Sequence, residues 1–416
     1  MLNVNLPLFL QKKVNESREI QFKEDIVKKV SFITALFIIS LAGLLWSRAI
    51  LSLSMGAWLI FSIWHFRYWI DNWFRNPFII WGITPVLFGL LGIWQSPAAA
   101  AGWDHLLTLA TYPVLAISGA CISSIEPRLF KTFGYCWVIA ALIAVLYPLG
   151  WYILHSQEAL EKYSSGQSLP VFMDNDHVRF SMFLSGAVLI AWFNRKAHKW
   201  LLAASIFLAV CILFLSARTG WVMIMLMGLI IGIQTIWKKE QRKNGLMVLA
   251  GLSALVIIAW LLFPTVQHKL GYSFYDWNQY LPGKYDPTLS DNARYAVNKA
   301  AWQAIQSGQQ NIGWAGIPEV LQNNFKQVFP NYKTDFGWPF NQWLFWWMGS
   351  GWWGMLLFTI WLLFPVYLGW RQKKPALSCW TLAIAATCLV ECNLGYQYGV
   401  WLHGWVIIWK FENLKI

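Results

Sequence analysis

Hydrophobic residues in this chain fall into long runs separated by short polar segments. A helix that crosses the hydrocarbon core of a bilayer needs about 20 apolar residues, within a range of ~17–25. The pattern therefore predicts an all-α polytopic membrane protein with about twelve transmembrane helices. The predicted spans are 30–47, 49–66, 78–95, 104–123, 135–154, 181–193, 200–217, 219–237, 246–263, 340–370, 377–392 and 398–411.

The tenth predicted span is too long for one crossing and is interrupted at Gly349-Ser350-Gly351. This interruption predicts a half-helix followed by a full span. The composition agrees with a membrane protein, because 57% of the residues are hydrophobic and only 12% are charged. Soluble chains carry about 25% charged residues. The basic N-terminal segment up to Lys29 has no small-residue cleavage site, so we expect no signal peptide.

Basic residues mark alternate short loops, which orients the chain by the positive-inside rule. With twelve spans, all of these loops lie on one side, so both termini are predicted to be cytoplasmic. The net charge of +13 is then a consequence of topology, and we expect no nucleic-acid partner. The marking residues are Lys28, Lys29, Arg67, Arg75, Arg128, Lys131, Arg195, Lys196, Lys199, Lys238, Lys239, Arg242, Lys243, Arg371, Lys373, Lys374, Lys410 and Lys415.

The opposite face receives a segment of about 75 residues, 264–339, which is too long for a simple connection. We predict an N-terminal bundle over 1–263, a periplasmic loop domain over 264–339 and C-terminal transmembrane helices over 340–416. Ser290-Asp291 predicts the N-cap of a loop helix that ends at Gly308, and a second short helix is predicted from Pro318. The loop domain is therefore expected to form a helical cap.

Three arginines, Arg179, Arg218 and Arg294, are predicted to lie on this outer face. Arginine forks match phosphate oxygens bidentately, and a charged group beside apolar spans is a functional-site candidate. The predicted helix N-terminus beside Arg294 would add a favourable dipole. The alternative interpretation is that each arginine contacts a lipid headgroup or forms a surface ion pair.

The outer face lacks carboxylates at metal-ligand spacing, so we expect no metal and no cofactor. The six cysteines are interpreted as small buried hydrophobic residues. Among the outer histidines, His177 is the best candidate for proton transfer, because Asp174, Asp176 and Arg179 are its neighbours in sequence.

Three segments resemble motifs of the bacterial O-antigen ligase and O-antigen polymerase superfamily, which are membrane glycosyltransferases of the GT-C type. Leu215–Trp221 is similar to the family's Ser-Arg turn that opens a span. The stretch from Asn292-Ala293-Arg294 through Trp302 to Gly313–Gly316 is similar to its loop segment. Trp338–Leu344 is similar to its Pro-His-Asn segment. With the large outer loop, the resemblance covers about residues 135–410.

The resemblance implies transfer of a glycan from undecaprenyl diphosphate to an acceptor hydroxyl at the periplasmic face of the bacterial inner membrane. Arg218 and Arg294 would hold the diphosphate and stabilise it as a leaving group, with Arg179, Trp302 and Asn341 as further substrate-binding residues. The expected partners are the lipid-linked donor, membrane lipid, and an acceptor that is lipid A–core, another glycan or protein.

One position departs from the family pattern: ligases carry a histidine before the asparagine, and this chain has Phe340. Phenylalanine cannot accept a proton, so the general base must come from elsewhere, and His177, Asp176 and Asp335 are the candidates.

Alternatives remain open at this stage. Within the class they are a polysaccharide polymerase or a protein O-oligosaccharyltransferase. Outside it they are a transporter of polyprenyl-linked glycan and a non-catalytic binder. Transporters tend to show repeats with broken helices at the bilayer midplane, and the sequence shows no such repeat.

Overall fold

The computed structural model describes residues 8–70, 76–96, 99–173, 175–280, 286, 289–330 and 336–411, the side chains of 8–26, 99–101, 280, 410 and 411 excepted. The regular structure in these ranges is helical throughout, which confirms the predicted all-α class. Arg75, Asp174, Asp335 and Lys415, which carry sequence-based predictions, lie outside the described residues.

Eighteen α-helices follow one another along the described chain. They are α1 (Leu8–Trp46), α2 (Arg48–Trp64), α3 (Arg67–Ile70), α4 (Pro77–Trp94), α5 (Ala99–Leu109), α6 (Thr111–Ile125), α7 (Leu129–Leu154), α8 (Ser156–Ser164), α9 (His177–Asn194), α10 (Lys199–Phe214), α11 (Arg218–Ile236), α12 (Arg242–Leu262), α13 (Pro264–Tyr280), α14 (Ser290–Gln306), α15 (Ile317–Val328), α16 (Gln342–Arg371), α17 (Pro375–Cys388) and α18 (Gln397–Phe411).

Seven segments in the described part of the chain are long and apolar enough to cross a membrane. They are Val27–Trp46, Pro77–Trp94, Gly102–Ile125, Leu129–Leu154, Arg218–Ile236, Lys239–Leu262 and Gln342–Arg371. Three shorter apolar helices, α2, α10 and α17, pack among them. The chain is therefore a multi-pass membrane protein, whereas the number of twelve crossings and the orientation remain predictions.

The centre of the bundle is formed by α9 and α18, which bury most of their described side chains. α18 packs against α6, α9 and α17, and α9 packs against α7, α10 and α11. This arrangement brings the first residues of α9, α11 and α18 and the end of α17 to the same end of the bundle. These ends carry Arg179, Arg218, Glu391 and Tyr396.

Two helices are interrupted, and local chemistry explains both breaks. Gly351 interrupts α16 with φ 72° and ψ −179°, at the place where the sequence predicted a half-helix. The fourth predicted span is divided at Ala110 into α5 and α6. Pro113 lies in the first turn of α6 and has no N–H, so it cannot donate to the carbonyl of Leu109.

The cap contains α13, α14 and α15, and α14 buries the face that its periodicity predicted. The prediction of Ser290-Asp291 as the N-cap is wrong, because Ser290 is already helical and Leu289 is the N-cap residue, without a side-chain cap. The carboxylate of Asp276 in α13 accepts instead from the N–H groups of Asp291 at 2.8 Å and Asn292 at 3.2 Å. The sequence pattern did not predict α8 or α13, two polar helices that pack against each other.

A short turn centred on Trp314 fixes the cap to the bundle. The indole N–H of Trp314 donates to the carbonyl of Gly89 in α4 at 2.7 Å. A Cβ at Gly92 or at Gly349 would lie 2.2 Å from the indole, so glycine is required at both positions for this close approach. Gly313 N–H also donates to the carbonyl of Gly349 at 3.0 Å, next to the break in α16. The Gly-Trp-Ala-Gly motif therefore has a structural role as an anchor.

Candidate functional site

Arg218 is the first residue of α11 and ties this helix to the cap. Its guanidinium holds both carboxylate oxygens of Asp291, with Nη2 at 2.8 Å from Oδ1 and Nη1 in contact with Oδ2. The same group donates to the hydroxyls of Ser290 at 3.2 Å and Ser273 at 3.3 Å. Since the Arg218 side chain is 29% exposed, its charge lies at the edge of the bundle.

Arg294 lies in α14, one turn after Asp291, and its side chain faces the Asp291 carboxylate. Its Nη1 is 3.6 Å from Oδ1 of Asp291, and its Nη2 is 3.4 Å from Oε2 of Glu391, which follows α17. The guanidinium carbon lies 5.3 Å from the centre of the Phe340 ring. Arg218, Asp291, Arg294 and Glu391 therefore form one group of alternating charges, which we name the arginine cluster.

Arg179 lies next to this cluster but is more deeply buried, with 6% exposure. It forms an ion pair with Asp176, whose carboxylate also accepts from the Arg179 backbone N–H at 3.0 Å and so caps α9. The Arg179 guanidinium stacks 3.9 Å from the centre of the Tyr396 ring. Glu391 interacts electrostatically with both Arg179 and Tyr396, which connects them to the arginine cluster.

Lys269 in α13 adds a further positive charge. Its ammonium donates to the carbonyls of Gly166 at 2.6 Å and Gln167 at 3.3 Å. Burial, together with the smaller effects of the charges of Arg218 and Arg294, lowers the pKa of Lys269 from 10.5 to about 8, against the opposing effects of Asp291 and Asp276. A lysine with this pKa is charged at neutral pH and loses its charge in mildly alkaline solution.

The N-terminus of α14 contributes less to anion binding than the sequence suggested. Its first N–H groups are bound by Asp276, which is fully buried, and the Ser290 N–H donates to the Tyr272 hydroxyl at 2.9 Å. These donors are therefore occupied by the protein itself. Attraction for an anion at this place rests on the guanidiniums rather than on the helix N-terminus.

Other predicted residues have structural contacts of their own. His177 is the first residue of α9 and lies near enough to Lys269 for an electrostatic interaction. Asn341 caps α16 through the N–H groups of Trp343 at 2.9 Å and Leu344 at 3.1 Å, and its amide donates to the carbonyl of Leu389 at 3.0 Å. Trp302 is 43% exposed and packs edge-to-face against Trp347 at 5.7 Å.

Sequence reasoning did not assign roles to Glu391, Lys269 or Tyr396, and it treated Asp291 only as a cap. Glu391 was recognisable only as an acid near the end of a span. Its partner Arg294 is 97 positions away, so no local spacing connects them. In the described part of the chain, no group of three His, Cys, Asp or Glu residues could hold a metal ion, and metal independence remains a prediction.

Comparison with known proteins adds independent information about the segment that builds this site. Residues 202–359 match the family model described as O-Antigen ligase, and no curated protein matches the chain. The matched segment contains Arg218, Asp291 and Arg294, and extends from α10 into α16. The fold and this match define a membrane protein with a role in glycan transfer. The predicted resemblance to the O-antigen ligase and polymerase superfamily is confirmed over this segment.

Proposed function

We propose that the protein transfers a glycan from an undecaprenyl-diphosphate-linked donor to an acceptor hydroxyl, with lipid A–core as the acceptor, at the periplasmic face of the bacterial inner membrane. One observation carries this proposal: Arg218 and Arg294 contact the same carboxylate, that of Asp291. Two guanidiniums that reach one oxyanion of the protein are spaced to reach one phosphate group of a donor. Arginine is suited to this role because its fork binds phosphate oxygens bidentately.

In the proposed reaction, the acceptor hydroxyl oxygen forms a bond to the anomeric carbon of the donor sugar. The bond between that carbon and the diphosphate oxygen breaks, and its electron pair leaves with undecaprenyl diphosphate. Negative charge therefore grows on the diphosphate, where Arg218 and Arg294 would stabilise it. Fixed charges directed at the place where charge develops are often the largest catalytic contribution.

The acceptor hydroxyl must also lose its proton, and we assign Glu391 as the general base that accepts it. Its carboxylate is 3.4 Å from Arg294, and its side chain is only 14% exposed. The Phe340 ring lies near the same guanidinium, so positions 340 and 391 both neighbour Arg294. Asp176 is better suited to position Arg179, because it is already bound to that residue through its side chain and backbone. His177 remains the second candidate for the base.

Substitution of the two arginines tests the assignment. We expect Arg218→Ala and Arg294→Ala each to slow release of undecaprenyl diphosphate by about 100–1,000-fold, as for loss of one oxyanion donor. The purified protein in lipid nanodiscs would be given the lipid-linked donor and acceptor, and both products would be measured. Lys299→Ala is the matched control, because Lys299 lies on α14 but contacts the rings of Tyr295 and Phe329 instead.

Near wild-type transfer by both arginine variants would refute the proposal. Two other results would indicate a different function for the protein. Counter-flow of labelled donor across proteoliposomes without diphosphate release would indicate a transporter. Donor binding without turnover would indicate a non-catalytic binder.

A further inference from the structure

A cavity of about 340 Å³ lies beside the arginine cluster, between α5, the start of α2 and the start of α18. Its lining includes Arg48, Asp104, Arg179, Trp338 and Tyr396. Small-molecule sites occupy roughly 300–1,000 Å³ and combine apolar walls with a few polar groups. The cavity is at the small end of this range, which suits part of a glycan rather than a whole chain.

One wall of the cavity is aromatic. The rings of Trp338 and Tyr396 are 5.4 Å apart, and Trp338 also packs against Phe345 at 5.0 Å. A Cβ at Gly395 would lie 2.8 Å from the Trp338 ring, so glycine permits this ring to pack close to the turn before α18. An aromatic face beside polar groups offers a platform for the C–H side of a sugar ring, while its hydroxyls remain near hydrogen-bonding partners.

Two guanidiniums on the cavity wall offer contacts to an acidic group. Arg48 and Arg179 supply positive charges, Asp104 supplies a negative charge, and Arg179 is also paired with Asp176 behind the wall's surface. Both guanidiniums lie over tyrosine rings, Arg48 over Tyr398 at 5.5 Å and Arg179 over Tyr396 at 3.9 Å. These contacts hold the two cations on the side of the cavity formed by Tyr396 and the first turn of α18.

His105 places a buried polar group without a partner behind the aromatic wall of this cavity. It lines the cavity, is 3% exposed, and neither ring nitrogen has a hydrogen-bond partner among the described residues. A buried polar group without a partner is costly, and an ionisable residue at membrane depth is a functional candidate. Because the ring nitrogens are covered in this conformation, the imidazole would have to turn to meet a ligand hydroxyl.

Arg179 and Tyr396 connect the cavity with the arginine cluster, since both interact with Glu391. We propose that the cavity binds the acceptor: a sugar bearing a carboxylate or phosphate, with its ring on Trp338 and its acidic group at Arg48 and Arg179. This inference rests on the proposed transfer function. It adds the chemical class of the acceptor and the residues that select it.

The first test measures binding without any transfer. Glucuronic acid, glucose 1-phosphate and glucose would be titrated onto the full-length protein in nanodiscs by saturation-transfer difference NMR. We expect the two acidic sugars to bind more tightly than glucose. Arg48→Gln should weaken binding of the acidic sugars about fivefold, the loss expected for one solvent-exposed charge contact, and leave glucose binding unchanged. Trp338→Ala should weaken all three sugars, and Trp338→Phe should restore part of this binding.

The second test separates the acceptor from the sugar of the donor. In the transfer assay, Arg48→Gln and Trp338→Phe should raise KM for the acceptor and leave KM for the lipid-linked donor unchanged. A rise in the donor KM alone would overturn the proposal in favour of a donor-sugar site. Unchanged sugar binding and unchanged acceptor KM in both variants would also overturn it.

Failure of this inference is distinguishable from failure of the transfer function. Arg218→Ala should abolish most transfer but keep the binding of glucuronic acid, because Arg218 does not line the cavity. If Arg218→Ala loses this binding while Lys299→Ala keeps it, the cavity is not an independent acceptor site. If Arg218→Ala and Arg294→Ala both retain transfer, the transfer mechanism fails whatever the sugar-binding result.

Discussion

Glu391 has two candidate roles: it accepts the proton of the acceptor hydroxyl, or it only holds Arg294 in place. Substitution of Glu391 separates these roles. Its carboxylate oxygen lies 3.4 Å from Nη2 of Arg294. Replacement by glutamine keeps the shape and an oxygen acceptor but removes the negative charge and the capacity to take a proton. Arg294 retains its contact with Asp291 at 3.6 Å in either case.

The two roles predict rate losses of different size. Arg294 keeps a charge-assisted hydrogen bond to the glutamine oxygen, so only the ion-pair attraction is lost. Because Arg294 is 30% exposed, this attraction contributes at most about 1 kcal/mol, which corresponds to roughly a fivefold loss of rate. Loss of a general base costs about 10²–10⁴-fold. We therefore expect Glu391→Gln to lower kcat by at least about 100-fold.

The assay is the initial rate of undecaprenyl diphosphate release, with Lys299→Ala as the control. Phe340→His in the Glu391→Gln background should recover part of the rate, because its ring would lie beside the same guanidinium. A loss of only about fivefold in Glu391→Gln, with no recovery by Phe340→His, would refute Glu391 as the base.

Three further predictions concern Lys269 and Trp314. The affinity for the donor should fall as pH rises through about 8, because Lys269 loses its charge there. In binding measured from pH 7 to 9.5, Lys269→Met should show a low affinity that does not change with pH. The pKa of Lys269 is about 8 in the folded protein and 10.5 in the unfolded chain, so protonation favours the unfolded chain below pH 8. The free energy of unfolding of the wild type should therefore rise between pH 8 and 10.5 as this penalty disappears. Lys269→Met should lack this rise when thermal unfolding is measured over the same pH range. Trp314→Ala should destabilise the protein by about 3–5 kcal/mol and lower Tm, since a 3%-exposed indole and its bond to Gly89 are lost. The exposed Trp302→Ala is its control, and an equal Tm for both variants would contradict the anchoring role.

Much of the architecture could be predicted from local patterns. The apolar runs marked the helices of the bundle, Gly351 marked the break in α16, and the spacing of alanines marked the buried face of α14. These features depend on composition and periodicity within one segment. Helix starts were less predictable: α14 is capped by Asp276 from another helix, so its own first residues gave a misleading signal.

The candidate site was only partly predictable for the same reason. Arg218 and Arg294 were suggested by their chemistry beside apolar spans, but their shared contact with Asp291 exists only after α11 and α14 have packed together. Trp302 and Asn341 were chosen through family resemblance, and the structure gives them contacts with Trp347 and with the start of α16.

The sequence by itself determined that this chain forms membrane helices with a large helical loop, because transfer of a segment into a bilayer depends on its own apolar content. Only the tertiary structure decided which charges meet. Arg294 and Glu391 come together because α14 and the end of α17 pack at the same end of the bundle, and such pairing between distant positions leaves no period in the sequence. The cavity beside them likewise arises from the packing of several helices, each of which contributes only a few side chains.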